Sequence, residues 1–386
     1  RFRVAPTNPN AILVDVDRKS ATDLGLGNNL GNTYERSLDA LAGDSELFAA
    51  IAAQSDRAGF EGAMRQLMPD STDAALTAAR NTQNMAHGVI RRRLDTIVRT
   101  TGPNRGGDYS TFWVQQLGSY GKRDAEADQI GYSIYSAGIA TGFDVPSTDT
   151  FKLGGALSRT WSLPDETDGN DRPLRITSTQ LDIYARHQNG RNFTQAIFGG
   201  AYDQYKSRRQ IIIGDIVRTP AGKWSGYHYG GTIDTGSTVQ VSRNFRLTPY
   251  ARLGYVKTHE KSYSESGGGA GVDLAYDSRN LDSLRGGFGI VAQRRFVLFQ
   301  DNNIETEFRG DYARELAGDR ANVTARFVGG GTAFANLGAA PDKNILTAGL
   351  SLGVRDIFTA FSVDYDAEYS GDYLGHTIAA TFRFRF

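Results

Sequence analysis

The chain has 386 residues and balances 43 basic against 43 acidic side chains, so it lacks the net positive field of a nucleic-acid binder and no nucleic-acid partner is expected. No run of eighteen apolar residues occurs and the mean hydropathy is −0.41, which excludes a membrane-spanning helix but leaves open a β-barrel, where only alternate residues meet lipid. Cysteine is absent, which removes disulfides, cysteine nucleophiles and thiolate metal sites together.

The chain starts Arg1-Phe2-Arg3 without initiator methionine or signal peptide and is read as the C-terminal part of a longer precursor. Residues 1–32 read as a β-rich stump. Within it Ile12, Val14 and Val16 oppose Leu13, Asp15 and Asp17, a strand pattern with no partner nearby in the sequence. Asn28-Asn29 reads as a loop pair ahead of the helices. Residues 33–109 turn helical, with an apolar set at Leu38, Leu41, Leu47, Phe48 and Ile51 and an N-cap at Asp44 or Ser45. Pro69-Asp70-Ser71-Thr72-Asp73 interrupts this region and starts a second helix over about 73–98. That helix would span ~39 Å, more than the ~25 Å apolar band of an outer-membrane barrel. It is alanine-rich on one side and carries Arg80, Asn81, Gln83, Asn84 and His87 as lumen-bonding groups, closing with Arg91-Arg92-Arg93, a basic end that suits the helix dipole and lumen carboxylates. The plain alternative is a surface helix packed beneath or outside the barrel.

From Ser110 the pattern is alternating strands: 110–121, 130–143, 151–162, 176–187, 192–205, 223–242, 245–256, 281–297, 302–315, 344–356, 358–369 and 373–386. Residues 110–386 are therefore expected to form an all-β transmembrane barrel of twelve antiparallel strands. Links after odd strands include 163–175, 206–222, 257–280 and 316–343, while those after even strands are brief, such as 188–191, 243–244 and 357. Long outer loops and short periplasmic turns orient such a barrel with its C-terminus in the periplasm. A thirteenth candidate, Val323 to Gly329, is assigned to the longest loop because a membrane strand there would break the even count. Phe151, Leu153, Leu157 and Trp161 are expected to face lipid, with Arg159 snorkelling near the outer end, and Leu346, Ala348, Leu350, Leu352 and Val354 likewise. Lys152, Ser158, Thr160, Asp182, Arg186, Asp203 and Asp364 fall on the lumen parity. The last strand alternates strictly, with Ile378, Ala380, Phe382, Phe384 and Phe386 on the lipid side and Thr381, Arg383 and Arg385 opposite.

Several stretches carry a resemblance: Phe112 to Gly121, Gly131-Tyr132 with Gly138 to Asp144, Phe151 to Gly155, Leu247 to Tyr255, and the terminal Arg383-Phe384-Arg385-Phe386. Together they resemble the translocator barrel of autotransporters, the type V secretion proteins of Gram-negative bacteria. Residues 57–95, with Ala63 to Leu67 and Arg92-Arg93-Leu94, resemble the helical lead-in of that family, and Arg18-Lys19-Ser20 with Leu24-Gly25-Leu26 is similar to the end of a β-helical passenger. The resemblance implies a twelve-stranded barrel with a helix through its pore, export and surface anchoring of an upstream passenger, and location in the outer membrane. It also implies a monomeric barrel amid lipid and lipopolysaccharide. Its implied partners are the passenger, periplasmic chaperones and the barrel-assembly machinery, which reads the alternating aromatic end with Phe386 as the key residue.

No bond chemistry is expected. Gly43-Asp44-Ser45 shares its first residues with an esterase motif but lies between helical segments, and no GxSxG or HExxH occurs. His87, His187, His228, His259 and His376 lack ligand spacing, so neither metal nor cofactor is expected. Asn28-Asn29 resembles the pair at which some family members cleave themselves but precedes the first strand by about eighty residues. Two rival readings are a channel plugged by its N-terminal helix and an outer-membrane anchor or enzyme working through its loops.

Overall fold

Two-residue alternation is a local property, so the strands form where apolar and polar residues exchange places along the chain. The computed structural model describes residues 2–5, 8–14, 18–70, 72–97, 111–125, 130–145, 148, 150–166, 173–299, 302–355 and 359–385. Twelve long strands follow one another: Thr111–Arg123, Tyr132–Val145, Phe151–Glu166, Leu174–Asn189, Asn192–Arg208, Ala221–Ser237, Phe245–Glu260, Arg279–Phe299, Asn302–Gly318, Asn344–Arg355, Thr359–Ser370 and Tyr373–Arg385. They are called the first to the twelfth strand below. Each pairs antiparallel with its neighbours, and the twelfth pairs with the first from Tyr373↔Arg123 to Arg385↔Thr111, which closes the barrel. Following partners from Gln116 one way round reaches the seventh strand at His259; the other way reaches it at Phe245, a stagger of fourteen residues. Twelve strands with that stagger tilt by about 40°.

The faces separate as the alternation predicts. Phe151, Leu153, Leu157 and Trp161 are exposed outside, while Lys152, Ser158, Thr160, Asp182, Arg186, Asp203 and Asp364 are buried inside. The exposed set continues through Phe198, Phe288, Phe308 and Leu350 and forms an apolar belt suited to lipid. Strands reach further out than expected: the third continues to Glu166, the fourth starts at Leu174 and the eighth at Arg279. The sixth ends at Ser237, before a short strand at Val239–Ser242. One outer link departs from the long-loop pattern, since only Gly371 and Asp372 join the eleventh and twelfth strands, with Gly371 at φ 54°.

The segments outside the barrel differ most from their sequence reading. The run at Asn8–Val14 does have a neighbour, Phe2–Ala5, with Phe2 opposite Val14. Helix α1 (Asn28–Ala42) begins at the asparagine pair instead of after it. Asn29 donates its side-chain amide to the Leu337 carbonyl at 2.9 Å and accepts from the Leu337 amide at 2.8 Å, so a contact 308 residues away overrides the poor helix propensity of Asn28, Asn29 and Gly31. Helix α2 (Ser45–Ala52) is capped by Asp44, which accepts from the Leu47 amide at 3.2 Å, and α3 (Arg57–Gln66) is capped by Asp56.

These helices pack on the outer loops. A hairpin of Ile211–Ile213 and Ile216–Arg218, and a four-stranded sheet of Tyr263–Ser264, Leu274–Tyr276, Val323–Phe327 and Phe334–Asn336, lie in the long links. The Val323 candidate is thus an outer-sheet strand, not a membrane strand. Leu41, Leu47, Ile51, Met64 and Leu67 share one core with Ile211, Ile213, Leu274, Val323 and Phe327, forming a cap at the long-loop end. Phe48, expected in that core, is 49% exposed, because Leu47 and Ile51 share the inward face of α2 and Phe48 lies about 100° round the helix from Leu47. Arg209 ties the cap together: it donates to the Gln66 carbonyl at 3.0 Å and to Glu265 at 2.8 and 2.6 Å.

Candidate functional site

Helix α4 (Ala74–Ile97) lies inside the barrel, packed against the strands and not beneath them. At its start, Ala74, Ala75 and Ala78 meet Tyr132, Ile134, Leu174 and Tyr205 at the long-loop ends of the strands. Near its other end, Leu94 packs with Trp113 and Leu117 toward the short turns. The helix therefore enters from the cap side and runs toward the turn side. Small side chains on this face allow close approach, and the wall yields in return. A Cβ at Gly230 would lie 2.8 Å from Gln83 Oε1, and one at Gly199 would collide with the Asp182 oxygen that faces His87. These lumen glycines went unremarked in the sequence; the pairs Gly199-Gly200 and Gly230-Gly231 inside strand patterns were the available signal.

Polar groups fix the helix along its length. Asp73 accepts from the Tyr132 hydroxyl at 2.8 Å and lies 3.5 Å from Arg123 Nε. Arg80 folds back to Asp73 at 3.7 Å and to Thr77 at 3.2 Å. Asn81 donates to the Tyr373 hydroxyl at 3.4 Å, Thr82 meets Thr160 at 3.1 Å, and Gln83 donates to the Tyr255 carbonyl at 3.2 Å. The sequence marks Asp73 only as a helix-start residue and gives no sign of the roles of Thr77 and Thr82. His87 is fully buried, with Nε2 3.3 Å from Asp182 and Nδ1 3.4 Å from Thr232 Oγ1. The three closing arginines diverge. Arg92 reaches Asp364 at 3.2 Å and Asp366 at 3.3 Å. Arg93 is buried, bonded through both Nε and Nη2 to Asp144, with its guanidinium 5.7 Å from the Trp113 ring centre. Arg91 and Asn84 instead line a cavity of about 210 Å³ on the far side, so Asn84, expected to bond the lumen, faces open space.

That cavity exists because the helix sits off centre, packed mainly against the first four strands and the twelfth. Its opposite wall carries Arg252, Arg285, Arg309, Asp311 and Asp366, most of them paired with neighbours along that wall. Arg252 bonds Asp234 at 2.7 Å, Arg285 bonds Glu315 at 2.9 Å, and Arg309 bonds Asp366 and Glu307 at 2.7 Å each. Such a lining holds its charges as hydrogen-bonded pairs. On the twelfth strand, Ile378 and Phe382 point outward at 56% and 52% exposure and Ala380 lies between them, half-buried. The Phe384 side chain and Phe386 lie outside the described residues.

A family model, the autotransporter beta-domain, matches residues 112–366. Outer membrane protein B of Rickettsia prowazekii (strain Madrid E) is 22% identical over 353 residues, covering 83% of this chain and 21% of that protein. Outer membrane protein B of Rickettsia rickettsii is 21% identical over 281 residues, 68% of this chain and 16% of that protein. The chain thus spans about a fifth of the length of these curated relatives. Among solved structures, the translocator domain of the autotransporter NalP from Neisseria meningitidis superposes with a TM-score of 0.57 at 18% identity, covering 79% of this chain and 98% of that one. The beta domain of the Bordetella autotransporter BrkA does so with 0.53 at 15% identity, over 72% and 100%. These likenesses extend the shared fold to the closed barrel and its lumen. The chain belongs to the autotransporter β-domain family and is an outer-membrane translocator barrel.

Proposed function

We propose that this barrel holds its passenger at the cell surface with α4 as the end state of export, a plug that stays behind in the pore, and that residues N-terminal to α4 lie outside the cell. The observation that carries this reading is the direction of α4: its first turn meets the long-loop ends of the strands, and α1 to α3 pack on those loops. No step of it involves bond chemistry. The twelfth strand is read by the barrel-assembly machinery by strand addition, after periplasmic chaperones deliver the chain, and the barrel works as a monomer.

The test is protease and antibody access to an epitope placed before Arg1, in intact cells producing the chain behind a signal peptide. Exposure without permeabilisation is expected. An epitope reached only after the outer membrane is opened would overturn the topology. A plugged channel is the second reading, favoured by the charged cavity beside α4. It requires substantial ion conductance with the helix in place, whereas the plug reading requires a large pore only after residues 73–97 are removed.

A further inference from the structure

Charges inside this barrel are largely paired, but one group outside is not. Register places Arg175 of the fourth strand directly opposite Lys206 of the fifth, and Lys206 directly opposite Lys223 of the sixth. All three are exposed, whereas their neighbours Leu174 and Tyr205 are buried, so the three cations share the outward face. Side chains directly opposite one another on adjacent strands stand about 5 Å apart at Cβ, where like charges repel. Two more exposed cations flank the row. Arg208 lies two residues beyond Lys206, and Lys261 continues the seventh strand, its amide bonded to the Ser225 carbonyl at 3.1 Å. None of the five takes part in an ion pair among the described residues, although Asp165 is exposed near the outer end of the third strand.

We propose that this outward face of the fourth to seventh strands binds the phosphorylated head of lipopolysaccharide in the outer leaflet. Height and chemistry select that ligand. Four residues along the fifth strand from Lys206, about 13 Å toward the turns, Tyr202 stands opposite Tyr227. The Tyr227 ring lies 4.8 Å from His259 and 6.4 Å from Tyr229, forming an aromatic girdle of the kind that marks the membrane interface. Below it, Leu181, Ile183, Phe198 and Ile233 offer exposed apolar surface for acyl chains. The cations thus sit at headgroup height, directly above a lipid-facing wall. A row of three cations spans two strand spacings, about 10 Å, and suits a head bearing more than one phosphate better than a single phosphodiester.

The experiment uses the full chain purified in detergent, with native mass spectrometry counting bound lipid A that carries two phosphates, the same lipid A dephosphorylated, and phosphatidylglycerol. The wild type is expected to bind bisphosphorylated lipid A at least tenfold more tightly than either comparison lipid. The triple variant Arg175→Ser, Lys206→Ser, Lys223→Ser should lose that preference. In lipid-free detergent, removing the repulsion should leave its thermal unfolding midpoint equal to or above that of the wild type, and added lipid A should raise only the wild-type midpoint. If the triple variant does not fold, as judged by heat-modifiable migration, Lys206→Ser alone carries the same comparison with a smaller expected loss. Equal binding of phosphorylated and dephosphorylated lipid A, equal binding of phosphatidylglycerol, or unchanged binding by the folded variants would each overturn the proposal.

Discussion

Arg93 shows how much a single lumen residue holds. It bonds Asp144, which also accepts from the Tyr184 hydroxyl at 2.8 Å, and its guanidinium covers Trp113. Replacing it by methionine leaves a buried carboxylate short of its cation, a change that costs about 3–5 kcal/mol in comparable sites. The lower end of α4 should then loosen, seen as noisy and raised conductance in planar bilayers. The double variant Arg93→Met, Asp144→Leu should recover most of the loss; a double variant as noisy as the single one would contradict this. The cluster Arg91-Arg92-Arg93 is plain in the sequence, but its division is not. Successive helix residues rotate by ~100°, so only the seat of α4 decides that Arg93 turns to the second strand, Arg92 to the eleventh and Arg91 to the cavity. Asn29 is the opposite case, a residue whose sequence context points to a loop. Asn29→Ala removes two hydrogen bonds to Leu337 and should weaken docking of α1 by about 1–3 kcal/mol, measured as faster proteolysis within residues 28–42.

Among elements, α4 and the cap behave differently. Deleting residues 73–97 removes the filling of the pore but none of the strand ladders, so heat-modifiable barrel formation should persist while conductance rises many-fold. Loss of the barrel itself would show that the helix is needed for folding. The cap depends on Arg209. Burial alone would lower its proton affinity, but the adjoining Glu265 carboxylate more than compensates and holds the guanidinium above its ordinary range. A raised pKa makes the pair's stabilisation fully present below the unfolded value and lost only at higher, strongly alkaline pH. Protease resistance of the cap should therefore not fall between about pH 6 and 9 on this account. Arg209→Ala, which leaves Glu265 buried without its cation, should abolish that resistance at every pH in this window.

Taken whole, the molecule is a barrel closed by its own ends and covered by its own lead-in. Because α1 to α3 share a core with loop strands as distant as Val323–Phe327, protease added to intact cells should trim the chain before α1 yet leave α1 to α3 attached. A stable fragment beginning instead near residue 70 would show that the cap does not form on the assembled barrel.

What the sequence determined by itself was whatever repeats locally. Strict alternation in stretches such as Phe151 to Trp161 and Leu346 to Val354 set the lipid and lumen faces, and the spacing of loops set strand number and the end that carries the long links, because side-chain period and turn length need no knowledge of distant residues. The tertiary structure decided what depends on register and on contacts between remote segments. The off-centre seat of α4, the start of α1 at Asn28, the cap built from residues some 300 positions apart and the row of Arg175, Lys206 and Lys223 all arise only when strands pair in one alignment. A shift of one residue in that alignment would turn every one of those side chains to the other face.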